Sequence, residues 1–303
     1  MGFKVWLKAI RAPFFTATII PVALGSIIAW YDTNSFLWVK FCLTMAGALL
    51  IHAGTNLAND YFDHISGCDE ANPNPTPFSG GSRVIQDGLV APENILRAAL
   101  TSFFFGTVIG LYLNYISFGN VILILGIIGV FLGFFYSAKP LRIGYGSFGE
   151  LAVGIGFGPL MVLGSYYVQA GQLPFKVFLV SIPVGILIAL VLYINEFPDY
   201  EADKKVGKRT MVVILGKKNA VVLYCSLLAL TYIFIAAFMI YKYLPPACLI
   251  VFFSLPLALK AFIVSKRHFD KIYDLLPANA ATIALHSSIG VLLSVGIALD
   301  KIF

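Results

Sequence analysis

The chain is short of charge. Only 12% of its 303 residues are Asp, Glu, Lys or Arg, while 59% are apolar; a soluble domain usually carries about 25% charged residues. Too little polar surface remains to cover a water-soluble globule, and a disordered chain is excluded on the same ground. Cysteine is sparse as well. Cys42, Cys68, Cys225 and Cys248 are scattered with no CxxC spacing, which argues against a disulfide or zinc framework. No HxxH or HExxH occurs, and no GxxxxGK[ST], so a zinc site and an ATP-driven pump are both set aside. No Ser–His–Asp triad can be picked out. Position 6 is Trp, which breaks a myristoylation signal. The basic residues 1–11 precede a long apolar run without a small-residue cleavage site, and read as the flank of a first span and not as a signal peptide.

What the chain does have is long charge-free runs. Residues 12–31, 41–59, 98–138, 151–175, 177–195, 219–241, 243–259 and 275–299 contain no Asp, Glu, Lys or Arg, and mean hydropathy is +0.87. A transmembrane helix needs about 20 mostly apolar residues. The longest run is broken at Asn114, Ser117, Gly119 and Asn120, which divides it into two. The expectation is an all-α, polytopic membrane protein of one domain, residues 1–303. Its nine spans lie near 13–31, 37–58, 95–115, 120–138, 148–169, 175–196, 219–241, 244–264 and 278–300.

A net charge of +6 invites a nucleic-acid reading, but in a membrane protein excess Lys and Arg report orientation. With these spans, one side receives sixteen of them, including Lys4, Lys8, Arg11, Arg83, Lys139, Arg142, Lys208 and Arg209. The other receives Lys40, Lys176, Lys242 and Lys301. The rich side is predicted to be cytoplasmic in a multi-pass protein of the cell membrane. It also carries the two long connections, 59–94 and 197–218, which together with Glu196 at the end of the sixth span hold ten of the fifteen acidic residues.

Both connections open with an amide and two carboxylates. In the second span Asn56, Asp60 and Asp63 stand at i, i+4 and i+7; in the sixth, Asn195, Asp199 and Asp203 stand at i, i+4 and i+8. Each set shares one side of a helix, the second if helical geometry persists past Pro198. The matched layout, four helices apart, hints at an internal repeat. Carboxylates at membrane helix ends are costly unless paired or bound to metal. Solvated helix ends or salt bridges to nearby lysines would explain one such acid; two matched clusters favour a divalent cation. Hard oxygen donors suit Mg²⁺ bound together with a substrate phosphate.

Lys208 and Arg209 follow the second cluster, Arg83 closes the Phe78–Arg83 stretch, and Tyr136 to Arg142 adds Lys139 and Arg142 to the same face. These cations suit a diphosphate, although positive charge on this side also has the plain topological explanation. His64 adjoins Asp63, where hydrogen bonding is favoured over metal ligation; His52, one turn before Asn56, is placed to line a cavity. The many Phe and Tyr residues, and Gly154, Gly156, Gly158 and Gly164, read mainly as lipid contact and close helix packing. Some of the aromatics are candidates for an apolar tunnel that takes a long chain.

The segment Asn59-Asp60-Tyr61-Phe62-Asp63 with Ser66-Gly67 and Asp69, together with Asp199-x₃-Asp203-x₃-Gly207-x₂-Thr210, resembles the two signatures of the UbiA-type intramembrane prenyltransferases. The stretches Phe78–Gln86 and Gly158–Tyr167 are similar to the branch that prenylates 1,4-dihydroxy-2-naphthoate for menaquinone. At Phe197 and Pro198 the chain departs from the Arg that many relatives carry. The resemblance implies nine helices around a central cavity, with loops 59–94 and 197–218 as its cap. It implies Mg²⁺-dependent transfer of an isoprenyl group from a prenyl diphosphate to an aromatic small molecule in lipid quinone synthesis. Asp60, Asp63, Asp199 and Asp203 would be catalytic and, with Asn56, would hold the metal. Asn56, Asn59, Arg83, Tyr136, Lys139, Asn195, Lys208 and Arg209 would bind substrate. Membrane lipid is the surrounding partner; no nucleic acid and no protein partner is implied. Two alternatives stay open: the same fold with geranylgeranylglyceryl phosphate or another acceptor, and a cation-coupled transporter.

Overall fold

In the computed structural model, which describes residues 2–73 and 75–303, the described residues form helices joined mostly by short connections, with a longer one between Ala71 and Pro92. A short amphipathic helix α1 (Phe3–Ala9) leads through a 3₁₀ turn into α2 (Thr16–Thr33). Then come α3 (Trp38–Ile65), a single turn α4 (Cys68–Ala71), α5 (Pro92–Tyr115) and α6 (Val121–Phe135). The next crossing is α7 (Gly149–Ile155), a π turn and α8 (Met161–Ala170). It is followed by α9 (Phe175–Lys205), α10 (Met211–Ile240), α11 (Leu255–His268, entered by a 3₁₀ stretch) and α12 (Ile272–Ile302).

Among the described residues, eight helical segments are long and apolar enough to cross a membrane. The ninth expected span, 120–138, is shorter than anticipated. Its helix α6 has 15 residues, about 22 Å at 1.5 Å per residue, because the chain leaves the helix at Tyr136. At the other extreme, α3 has 28 residues and α9 has 31, roughly 42 and 46 Å against a hydrocarbon core of about 30 Å. Both overshoot at their C-terminal ends, which is where their carboxylates lie.

The second long connection is also different from the expectation. Residues 197–205 are not loop: α9 runs straight through Pro198 to Lys205, and α10 begins at Met211. Only 206–210 is non-helical between them. A proline inside a helix leaves the carbonyl four residues back without its donor. Here that carbonyl belongs to Ile194, and the buried Asn279 of α12 donates Nδ2–H to it at 3.0 Å. The helix therefore continues, and Asp199 and Asp203 keep their one-turn spacing.

The core runs along α9, which packs against α10, α12 and the α7–α8 crossing; Leu187, Leu190, Ile194 and Phe197 are fully buried there. One close approach is between α7, the π turn and α9. A Cβ on Gly158 would lie 2.5 Å from Gly185 Cα, and one on Gly154 3.1 Å from Gly185 O, so small residues set this crossing. Gly156 and Gly164, expected to act likewise, face open space or a loose contact.

Replacing Asn279 by Leu leaves the Ile194 carbonyl buried without a donor. The expected cost is about 1–3 kcal/mol, read from unfolding of the detergent-solubilised protein. In a Pro198→Ala background the backbone supplies that donor again, and the cost of Asn279→Leu should shrink. An equal cost in both backgrounds would refute the link.

Candidate active site

The overshooting ends of α3 and α9 meet on one side of the bundle. Lys208, in the turn after α9, joins them: its Nζ stands 3.5 Å from Asp63 Oδ2 and 3.6 Å from Asp203 Oδ1. Burial alone would lower this ammonium, yet Asp63 and Asp203 hold it well above the ordinary lysine range. Tyr145 is a second bridge. Its hydroxyl donates to Asp63 Oδ1 at 2.8 Å and pairs with Ser66 Oγ at 2.5 Å. Its ring lies under Lys208, 4.8 Å from centroid to Nζ, and its carbonyl accepts from the Arg209 amide at 2.8 Å.

On α3 the i, i+4 pair Asn59 and Asp63 turns to this mouth. Asn59 Nδ2 donates to Asp63 Oδ2 at 3.0 Å and to Ser137 Oγ at 2.8 Å. Asp60 turns aside. It is 2% exposed, ion-paired with Arg11, and accepts from the Ser82 amide at 3.2 Å and from the Ser82 hydroxyl. Asn56 donates to the Ile10 carbonyl at 3.0 Å, and Arg11 also reaches Asn59 Oδ1 at 2.8 Å. The amino-terminal segment is thus laced to α3.

The 66–83 segment folds over the mouth. Asn72 Nδ2 donates to Asp199 Oδ1 at 2.8 Å, and the Gly80 amide donates to Asp199 Oδ2 at 3.2 Å. Arg83 donates to the Asp69 carbonyl at 2.7 Å. Asp69 Oδ2 is buried with no hydrogen-bond partner among the described residues, and Gly81, at φ +76°, approaches so near that a Cβ there would sit 2.5 Å from that oxygen. Burial, with Asp63 and Asp60 close by, pushes the Asp69 carboxyl up to about 7. Burial likewise pushes the neighbouring Cys68 thiol to about 12, so it stays a neutral donor to Asp203.

Below the mouth opens a cavity of about 1270 Å³. Asn56, Asn59, Asp63, Arg83, Tyr136, Asn195, Asp199, Asp203 and Lys208 line it, and so do Arg11, Asp69, Asn72, Tyr145 and Glu196. Its deeper wall is apolar, with Ile51, Leu132, Phe157, Leu160, Ile188 and Leu192. Asp60 lies outside the lining, held by Arg11. Lys139 and Arg209 are exposed and also lie outside it. His64 pairs with Glu70 at 2.6 Å, the hydrogen-bonding role expected of it. Among the described residues, no three His, Cys, Asp or Glu side chains enclose a cation by themselves.

Several residues here were not among the sequence candidates. Asp69 belongs to the first motif stretch, so its spacing was the available signal. Arg11 was visible only as one more cation on the positive side. Tyr145, and the Glu150 that accepts from the Met211 amide at 2.9 Å, carried no signal at all.

Fold and mouth together define a polytopic membrane protein built to grip an anionic group at the entrance of an apolar chamber. Residues 18–288 match the model of the UbiA prenyltransferase family, and the chain belongs to that family. It is 32% identical to the 1,4-dihydroxy-2-naphthoate octaprenyltransferase of Bacillus subtilis, over 98% of this chain and 93% of that protein. It is 29% identical to the 2-carboxy-1,4-naphthoquinone phytyltransferase of Synechocystis, over 97% and 92% of the two chains. The fold is that of a UbiA homolog from Aeropyrum pernix (TM-score 0.68, 16% identity, 96% and 98% coverage). It is shared by a UbiA homolog from Archaeoglobus fulgidus bound to GPP and Mg²⁺ (TM-score 0.63, 15% identity, 96% and 99% coverage).

Lys208→Met would leave Asp63 and Asp203 buried and facing each other without their shared cation. Breaking a buried pair by removing one partner costs about 3–5 kcal/mol, and a loss of that order is expected in thermal unfolding with EDTA present. Unchanged stability would show that the lysine does not join the two segments.

Proposed function

We propose that this protein transfers an isoprenyl group from a prenyl diphosphate to a hydroxyarene of the 1,4-dihydroxy-2-naphthoate type, in lipid quinone synthesis. The observation that carries this reading is the junction of a carboxylate-rich mouth with a large apolar chamber. A molecule with an anionic diphosphate head and a hydrocarbon tail matches that junction at both ends. The acceptor class follows the two full-length relatives, both named for naphthoate or naphthoquinone substrates. The positive-side excess of Lys and Arg supports a mouth open to the cytoplasm. Carboxylates at helix ends, and not at the bilayer midplane, speak against a transporter.

The residues present fit magnesium. The donors are hard oxygens from Asp63, Asp69, Asp199 and Asp203, and the buried Asp69 Oδ2 has no partner among the described residues. No closed protein cage is needed, since this ion commonly keeps one or two carboxylates, waters and substrate phosphate oxygens. Asn56 and Asn195 stand in the same wall. Bound there, Mg²⁺ would draw off the negative charge that develops on the leaving diphosphate.

The chain's own groups do the rest. Lys208, already between the two segments, and Arg83, at the mouth, meet the phosphate oxygens. Asp60 holds Arg11 and thereby the amino-terminal segment against α3. Tyr136 and the 66–83 cover close the head-group end, and the apolar wall keeps water from the allylic carbon while the aromatic acceptor attacks it. Residues 59–94 and the 206–210 turn act as the cap of a single domain.

The test is a product assay by mass spectrometry, with diphosphate release followed in parallel. Purified protein is given Mg²⁺, several allylic diphosphates, and 1,4-dihydroxy-2-naphthoate, 4-hydroxybenzoate or geranylgeranylglyceryl phosphate. Prenylated naphthoate is expected, abolished by EDTA. Asp63→Asn and Asp199→Asn should each lower turnover about 100-fold or more, with expression maintained. Full activity in both variants would remove the role given to these carboxylates.

A further inference from the structure

The deep wall of the chamber is largely apolar, with Thr107 on its exposed side. The hydroxyls of Thr44, Thr55 and Ser165, which also line it, are turned back onto carbonyls of their own helices: Lys40 at 2.8 Å, Ile51 at 2.9 Å and Val162 at 3.1 Å. They offer little to a ligand. His52 is different. It lines the chamber, one turn and about 6 Å deeper along α3 than Asn56, and is 5% exposed. Its Nδ1 pairs with Thr18 Oγ1 of α2 at 2.8 Å. Among the described residues no protein hydrogen bond reaches its other nitrogen, Nε2, and that atom is not sealed in the protein interior as His286 Nε2 is. Phe15 and Phe157 flank the imidazole, with ring centroids at 5.2 and 4.7 Å.

Left open to the chamber, Nε2 has no protein group in the surrounding apolar wall to turn to, and a ligand that reaches it must offer it a hydrogen-bonding partner. Thr18 fixes the ring plane, so Nε2 points in one direction. A hydroxyl can meet it in either imidazole tautomer, because a hydroxyl both donates and accepts. Aromatic walls beside it suit a flat ring better than a flexible chain. A prenyl tail has no polar atom to offer Nε2; a hydroxyarene does.

We infer that His52, held by Thr18 between Phe15 and Phe157, is the acceptor-orienting residue, its Nε2 hydrogen-bonding a ring hydroxyl of the aromatic substrate. The inference rests on the acceptor class proposed above and adds to it the place where that acceptor sits. The arene then lies deeper in the chamber than the diphosphate, with its reacting carbon turned toward the mouth.

Steady-state kinetics of the full-length enzyme in detergent test it, with acceptor and prenyl diphosphate varied separately. His52→Leu should raise the acceptor KM about 10-fold or more, the effect of one lost hydrogen bond to a buried group, while the prenyl diphosphate KM stays within about twofold. His52→Gln, which keeps a hydrogen-bonding end, should retain most of the acceptor affinity. Thr18→Val should move the acceptor KM in the same direction by less, and it serves if His52→Leu does not fold. A naphthoate lacking one ring hydroxyl is the second readout. A site built around a hydroxyl rejects the analogue without it, so the wild type should discriminate between the two naphthoates and His52→Leu should not. Wild-type turnover with unchanged acceptor KM in all three variants, or an equal rise in both KM values, overturns the role of His52 alone. A wild-type enzyme that prenylates no hydroxyarene overturns the acceptor assignment and this inference with it.

Discussion

The structure depends on how five carboxylates are kept together at the edge of an apolar bundle. Asp60, Asp63, Asp69, Asp199 and Asp203 come from two regions far apart in sequence, and all but Asp199 are buried below one-tenth exposure. Two cations answer them directly. Arg11 takes Asp60, and Lys208 is shared by Asp63 and Asp203. Asp69 and Asp199 are left to amides and to burial, which is why the Asp69 carboxyl rises to about 7. The mouth therefore keeps an excess of negative charge and an unpartnered oxygen. A divalent cation relieves exactly that imbalance in a way that a further lysine, with one charge and a long stem, would not.

Helix length turns this imbalance into a site. Because α3 and α9 exceed the hydrocarbon thickness, their last turns rise out of the apolar layer, and the carboxylates can be hydrated or bound to an ion without being drawn into lipid. Pro198 could have ended α9 before Asp199. Asn279 prevents that by supplying the donor that proline lacks, and its other contact, to Asn195 Oδ1 at 2.8 Å, fixes the amide of the second cluster with the same side chain. One asparagine on α12 thus keeps both the backbone and a lining residue of α9 in register with α3.

The bundle was legible in the sequence because long charge-free runs have few alternatives in water or lipid. So was the pairing of the two acidic segments, since the matched spacing placed them on the same membrane face before any coordinates. The finer choices were not legible. Periodicity put Asn56, Asp60 and Asp63 on one side of α3, and helical geometry alone does not tell which of Asn59 and Asp60 faces the chamber; Arg11 decides it, from a left-handed backbone position (φ 52°) 49 residues away. Lys139, Arg209 and Lys208 look alike in a sequence, as cations on the positive side. Only Lys208 is drawn inward, because Asp63, Asp203 and the Tyr145 ring together replace its water. The short α6 escaped because hydropathy sees an apolar run and not the point where the chain departs from the helix.

Polarity along the chamber separates the two halves of the chemistry. At the mouth charged groups, amides and hydroxyls gather, so a diphosphate head finds donors and cation-binding oxygens at once. A few turns deeper the hydroxyls are consumed by their own helices, so the wall gives water few sites to occupy and a developing allylic cation few nucleophiles to meet. An acceptor entering that dry region must be recognised by what little polarity remains there. This places a severe limit on the wall: each added polar group would help the acceptor and also invite water. A single imidazole with one nitrogen already committed to Thr18 is close to the minimum that can orient a flat, hydroxylated ring while leaving the rest of the surface apolar.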